Sequence, residues 1–562
     1  MTPIDWALVV GINGAIVIYG LRLARGTKSS VEWFLASKAL PWWAIGLSMF
    51  ATAVDSGDYV AVAGGAYKFG ISNLTTWWIG ISVGWLLVAY LVLVPLYRSG
   101  MFTNAEYLEA RFGPIARVLS VVIQIQSRTN VLGNIGYSLF LIISLLTGWG
   151  NGAYVLVGLV AFLAAVYTAT GGLRSVAVTD AFQSIVMLVA SFVLWWVVWN
   201  AIGGWTGLES RLEAADPKLA EGLLHARGHD TPGVPPLLMV FGWILILSSY
   251  CVINQSQAMR MLAARSTWDL HVGTFVAIVI TSIVMWFNIT LGILGRGWSP
   301  DLGDSGDHIF PLLINEFLTP GLVGLVVAGI FAGAISSYDS IGSALAALFT
   351  RDVWARFLVK DRDDRHYLWV SRFTTVAVIA GSFLYIPYIK GSGGMLVFYM
   401  RLMSVGVLPL FAVYLMGTLT RAHRKSGTLG LAVGVSYGLI SFLGDSWGWP
   451  LPFWWTNMWW TYLCGLIVTC GSMVLATLYW GWERKEDLRG LVYGIPAVTP
   501  SISGSRPSSG AAWLEQTRRE AAALPTEPSP DEASPVPWYG HPLVWSLAVL
   551  AILSYILFVR LW

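Results

Sequence analysis

One apolar stretch of this chain breaks in its own middle, and that break constrains the fold more than any other feature. From Pro41 the sequence reads P-W-W-A-I-G-L-S-M-F-A-T-A-V-D-S-G-D-Y-V-A-V-A-G-G-A-Y-K-F-G, with Asp55, Gly57 and Asp58 at its centre. Two carboxylates at mid-depth are costly in lipid. Backbone released from helix at that depth is tolerated only where protein or a water-filled cavity surrounds it. Secondary transporters build midplane ion and solute sites from discontinuous helices of this kind. The break therefore reads as half of such a site, in a cation-coupled transporter.

Composition agrees. Of 562 residues, 56% are hydrophobic and 12% charged, with a mean hydropathy of +0.65, which describes a polytopic membrane protein rather than a globular enzyme. A net charge of +3 makes no case for nucleic acid. Cys251, Cys464 and Cys470 lie inside apolar runs with no zinc-type spacing, and Cys464 and Cys470 fall on roughly opposite faces of one expected helix. Each reads as a buried, inert thiol. The opening M-T-P-I-D-W lacks a basic segment and reads as the start of a retained helix.

Hydropathy places about fourteen spans, near 5–22, 41–66, 74–97, 117–147, 152–170, 179–200, 236–254, 270–296, 308–350, 367–388, 395–417, 427–444, 456–480 and 542–561. The ninth is too long for one crossing and should include an interfacial helix. Alternate loops collect Arg and Lys (Arg22, Arg25, Lys28 and Lys38 in one, Arg421, Arg424 and Lys425 in another). The positive-inside rule puts these loops in the cytoplasm and both termini outside.

Spans two to six and seven to eleven form consecutive groups of five. Because five is odd, a second copy of such a group must sit upside down. Each group opens on an interrupted span, the first at Ala51–Asp58 and the second at Ser248–Gln257, S-S-Y-C-V-I-N-Q-S-Q, which is the pattern of an inverted repeat. The expected organisation is an accessory helix in 1–24 and a five-helix repeat in 41–200, then an extracellular loop in 201–235. A second repeat in 236–418 follows, with two accessory helices in 427–480 and a terminal helix in 542–562. Between these last two, residues 485–541 are rich in Pro, Ser, Gly and Glu and read as a disordered cytoplasmic linker, with room for one short helix near 511–524.

A second polar cluster, G-A-I-S-S-Y-D-S (Gly333–Ser340), lies inside span nine. Its serines serve either close helix packing or a cation. A hard ion such as Na⁺ needs several oxygens, and the hydroxyls of Ser336 and Ser337 beside loosened carbonyls of Ala51 and Val54 would supply them. Arg128 and Arg401 lie within apolar stretches, where an arginine faces either a carboxylate or a polar cavity. Asp55, Asp58 and Asp339 are the carboxylates available for an internal pair, and a solute carboxylate or hydroxyl pair is the alternative.

The chain resembles the sodium:solute symporter family. The resemblance rests on Pro41–Gly46, on V-P-L-Y-R with T-x-x-E-Y-L-E-x-R-F-G (Val94–Gly113), on G-G-L-R-S-V-A-V-T-D-A-F-Q (Gly171–Gln183), on Asn254-Gln255 with Arg260, and on Ser336-Ser337. It implies an all-α, leucine-transporter-type fold with the 5+5 repeat. It also implies a Na⁺ site on Ala51, Val54, Gly333, Ser336 and Ser337, and an ion exit or second Na⁺ at Asp180, Asp339 and Ser340. The residue-level alternative for Asp180 is a helix cap. Solute would bind beside the break through Thr52, Asp55, Asp58, Arg128, Asn254, Gln255 and Arg401.

The motifs look most like the sodium/sugar branch. Yet Ala53, Gly57 and Asp58 stand where sugar carriers have Asn and Glu-Gln, and Met259 stands where Gln is usual before Arg260. The expected function is Na⁺-coupled import of a small polar solute, a sugar or sugar derivative first, with an amino acid, other zwitterion or organic acid as the alternative. Proton coupling and a transporter-like sensor are the other readings. A catalytic role is not expected, since the seven histidines fall in loops or at span ends. The expected setting is the cell (inner or plasma) membrane, with the solute and the bilayer as partners and no obligate protein partner evident.

Overall fold

The computed structural model describes residues 1–23, 29–93, 96–97, 101–170, 172–228, 232–360, 362–391, 394–495, 512–524 and 536–562. Parts of the V-P-L-Y-R motif, Gly171 and most of 496–535 lie outside the described residues. The chain is all-α: α1 (Pro3–Leu23), α2 (Ser30–Leu35), α3 (Trp42–Ala53), α4 (Ser56–Phe69), α5 (Thr75–Val92), α6 (Asn104–Phe112), α7 (Pro114–Thr147), α8 (Ala153–Thr170) and α9 (Leu173–Ile202). There follow α10 (Pro236–Ile253), α11 (Gln255–Leu262), α12 (Thr267–Trp298), α13 (Leu322–Leu358), α14 (Asp364–Lys390), α15 (Met395–Leu419), α16 (Ser426–Trp447), α17 (Met458–Trp480), α18 (Ala512–Ala523) and α19 (Pro542–Arg560). Among the described residues, 13 helices are long and apolar enough to cross a membrane, and the span expected at 41–66 is the broken pair α3–α4.

The first break has a local cause. Asp55 is an extended N-cap whose Oδ1 accepts the Asp58 N–H, while Asp58 Oδ2 accepts the Asp55 N–H, each at 3.1 Å. This reciprocal capping box starts a new helix where the previous one would have continued. The second break is at Asn254, whose Oδ1 accepts the Ser256 N–H at 3.1 Å and caps α11. The two broken helices open two consecutive runs of five spans. Their basic-loop ends are tied together: the Leu40 N–H donates to Ala263 O at 3.0 Å and the Arg265 N–H to Leu40 O at 3.2 Å.

Three expectations need correcting. Residues 483–495 fold back on α15, with Tyr493 N–H donating to Thr418 O at 2.8 Å and Leu488 and Val492 buried. The short helix with room near 511–524 is present as α18, but it is docked rather than free, burying Trp513, Leu514 and Ala521. Polar composition hid these few well-spaced apolar anchors, so the described parts of 485–541 are not a free linker. Finally, Cys251 is buried but Cys464 and Cys470 are only half-buried; all three are free thiols.

Candidate functional site

α13 runs beside the first break at Gly333. A Cβ there would lie 3.5 Å from Asp55 Cα and 3.1 Å from Met187 Cε. Ser337, one turn on, shares that face; its hydroxyl is buried and makes no hydrogen bond within 3.5 Å. The Ala51 carbonyl is freed in parallel, because the Asp55 N–H that would close its helical ring goes to Asp58 instead. Val54 beyond it is extended and fully buried. The fold thus gathers Ala51, Val54, Gly333 and Ser337 around one break, an oxygen-rich arrangement suited to a hard cation.

Ser336 faces the other way. It donates to Asp180 Oδ1 at 2.6 Å, and Asp180 Oδ2 accepts from Arg260 Nη2 at 2.8 Å and from the Ser48 hydroxyl. Arg260 also donates to Ser48 Oγ at 2.5 Å, to Ser256 O at 2.6 Å and to Ser340. Thr52 joins this network at Ser340 Oγ, 3.1 Å away. Asp180 lies well inside α9, so it is not a helix cap. Asp339 stands apart from Ser340, beside Thr168 on α8 and within the field of Asp180, with Oδ1 buried and unbonded.

On the other side of the break, α7 crosses α4 closely: a Cβ on Gly57 would sit 3.5 Å from the Asn134 carbonyl carbon, and Ser138 donates to Ser56 Oγ at 2.9 Å. Arg128 is the cation whose field reaches both Asp55 and Asp58. Its guanidinium lies 4.8 Å over the Tyr250 ring, Nη2 reaches Ser256 Oγ at 3.4 Å, and Nη1 is buried without a partner. Asn130 Nδ2, Asn134 Oδ1 and Asn254 Nδ2 are also buried and unbonded. Buried polar atoms are nearly always satisfied, so these unbonded groups, on α7 and at the second break, are candidates to pair with a solute.

Three expected solute residues are elsewhere: Thr52, bonded to Ser48 O and Ser340 in the network above, and two more. Gln255 uses both ends of its amide on the segment leading into α6, accepting the Asn104 N–H at 2.9 Å and donating to Phe102 O at 2.8 Å. Arg401 is not buried; its side chain is 46% exposed and pairs with Asp445 on α16. Conversely, Asn130 and Asn134 escaped the sequence reading although they stand one helical turn apart (i, i+4), on a different face of α7 from Arg128. Arg260 was legible as a motif residue but not as the partner of Asp180. Tyr250 carried no distinguishing signal in a chain with 22 tyrosines.

A model of the sodium:solute symporter family matches residues 33–434. Sodium/glucose cotransporter 4 of Homo sapiens is 28% identical over 488 residues, covering 80% of this chain and 69% of that protein. Sodium/myo-inositol cotransporter 2 of Mus musculus is 29% identical over 483 residues, covering 79% and 71%. A substrate-bound, outward-open Na⁺-coupled sialic acid symporter superposes with a TM-score of 0.73 at 19% identity, over 86% of this chain and 99% of its own; the fold is shared.

Proposed function

Because the chain belongs to the sodium:solute symporter family, a family of Na⁺-coupled membrane transporters and not of enzymes, we propose that it imports a polyhydroxylated solute, a sugar or sugar derivative. The observation that carries this reading is a set of buried groups without hydrogen bonds on α7 and at the second break: Arg128 Nη1, Asn130 Nδ2, Asn134 Oδ1 and Asn254 Nδ2. Hydroxyl groups both donate and accept, so a polyol pairs with such a mixed set. The relatives above, a sodium/glucose and a sodium/myo-inositol cotransporter, support the same class.

Na⁺ would sit on Ala51, Val54, Gly333 and Ser337, joining α3 to α13, while the Ser336 hydroxyl stays on Asp180. Asp180 would lie on the ion path to the cytoplasm, with the basic loops inside, both termini outside and the two five-helix groups related by inversion. One charge crossing 100 mV yields about 2.3 kcal/mol, and a tenfold Na⁺ gradient adds about 1.4. Together they support accumulation of roughly several hundredfold.

A second reading has its own observation. The free Nη1 of Arg128 is a donor suited to a carboxylate, which favours an acidic sugar derivative. The test is thermal stability of the purified protein with glucose, myo-inositol, glucuronate and neutral amino acids, in Na⁺ or choline at fixed pH. A ligand of the folded state raises the melting temperature by mass action. Stabilisation by a polyol in Na⁺ alone supports the first reading, and by glucuronate alone the second. Equal shifts without Na⁺ that follow pH would replace Na⁺ coupling by proton coupling.

A further inference from the structure

The sequence A-W-L-E-Q-T-R-R-E-A-A-A of α18 places Trp513, Leu514, Thr517 and Ala521 on one face, and all four are buried. The opposite face is solvated and self-paired, with Arg519 3.1 Å from Glu515. The buried face is held by specific contacts. The Trp513 ring stacks on Tyr367 at 4.1 Å and its Nε1 donates to Asp364 Oδ1 at 2.8 Å, both at the start of α14. Arg351, near the end of α13, donates to Thr517 Oγ1 at 3.1 Å and lies 5.1 Å from the Trp513 ring. Arg518 reaches Glu106 on α6 at 3.2 Å, and the same carboxylate takes Arg351 at 3.2 Å. Burial would raise the Glu106 carboxyl, and the guanidiniums of Arg351, Arg518 and Arg117 more than offset it, holding it below the usual range. The helix also packs on α2, the segment that leads into the broken α3.

These are the ends of the elements that must separate if the carrier opens toward its basic loops, the face proposed above to be cytoplasmic. We infer that α18 is a bolt: a helix from the chain's own linker that clamps α2, α6, α13 and α14 together and disfavours the state open to the cytoplasm. The inference rests on family membership and loop orientation, not on the identity of the solute.

Hydrogen exchange of the full-length protein in lipid nanodiscs tests it without any solute. Wild type is compared with Arg518→Glu, which opposes Glu106, and with Trp513→Ala, which removes the stack and leaves the charges. Both variants should exchange about tenfold faster at residues 29–38 and 348–358, with 303–317 at the other end unchanged. Faster exchange confined to 512–523 would overturn the bolt, since the gate would then be indifferent to the helix. A uniform rise that includes 303–317 would overturn it too, because α18 would then support the whole fold and not one state.

Discussion

Arg260 and Asp180 form an ion pair at 2.8 Å with both side chains at most 1% exposed. The two residues come from α11, just past the second break, and from α9, and Ser48 of α3 bonds to both. A buried charge deprived of its partner costs about 3–5 kcal/mol. Asp180→Asn and Arg260→Met should each lower the melting temperature severely. The double variant should lose less than the sum of the two, with a coupling of about 1–3 kcal/mol in a double-mutant cycle. Additive losses would mean that the pair does not act as a unit.

The two neighbouring serines should behave differently. Ser337→Ala removes a buried hydroxyl that lies beside the Asp55 carboxyl without a hydrogen bond within 3.5 Å, so stability in choline should change by less than about 1 kcal/mol, while half-saturating Na⁺ rises about tenfold through loss of about 1.4 kcal/mol. Ser336→Ala breaks the 2.6 Å bond to Asp180 and should lower the melting temperature even in choline. Sodium titrations followed by thermal denaturation separate the two.

Asp58 supplies half of the capping box that starts α4. Asp58→Ala should cost about 1 kcal/mol, and Asp58→Asn, which keeps an acceptor, should restore most of it. If Asp58 also holds solute, Asp58→Asn will still shift solute preference, as measured by the same melting assay.

Asp307, in the 303–308 loop outside the spans, accepts the Met395 N–H that begins α15 at 2.8 Å. Burial pushes its carboxyl up to about 6, against the opposing pull of that N–H and of Lys68. The folded state therefore holds this proton more tightly than the unfolded chain does. Its stabilising contribution is complete below pH ~4 and is lost as pH rises through ~6, a change of about 3 kcal/mol. Asp307→Asn should stabilise the protein at pH 7.5, change little at pH 4, and flatten the melting profile between them.

The Arg401–Asp445 pair, with side chains 46% and 29% exposed, should matter little. Arg401→Gln is expected to stay within about 1 kcal/mol of wild type and to keep the full solute-induced melting shift. A lost shift would return Arg401 to the solute site.

The span positions and both helix breaks were legible in the chain itself. Hydropathy is a one-dimensional property, and the chemistry that stops a helix at Asp55 or Asn254 lies within four residues of the break. That Gly333 and Ser337 share one face of α13 was legible for the same reason, because one helical turn separates the two. What a buried polar group bonds to is decided by distance in space, which residue type and spacing do not encode. Gln255 and Arg401 read like solute contacts until the fold gave one the backbone beside α6 and the other Asp445. Asp180 read as an ion-path aspartate, and only packing matched it to an arginine 80 residues away. Likewise the short helix α18 was legible within the linker, but its docking on Glu106 and Arg351 was not. Local backbone chemistry sets where the helices stop, and three-dimensional packing sets which charges they bring together.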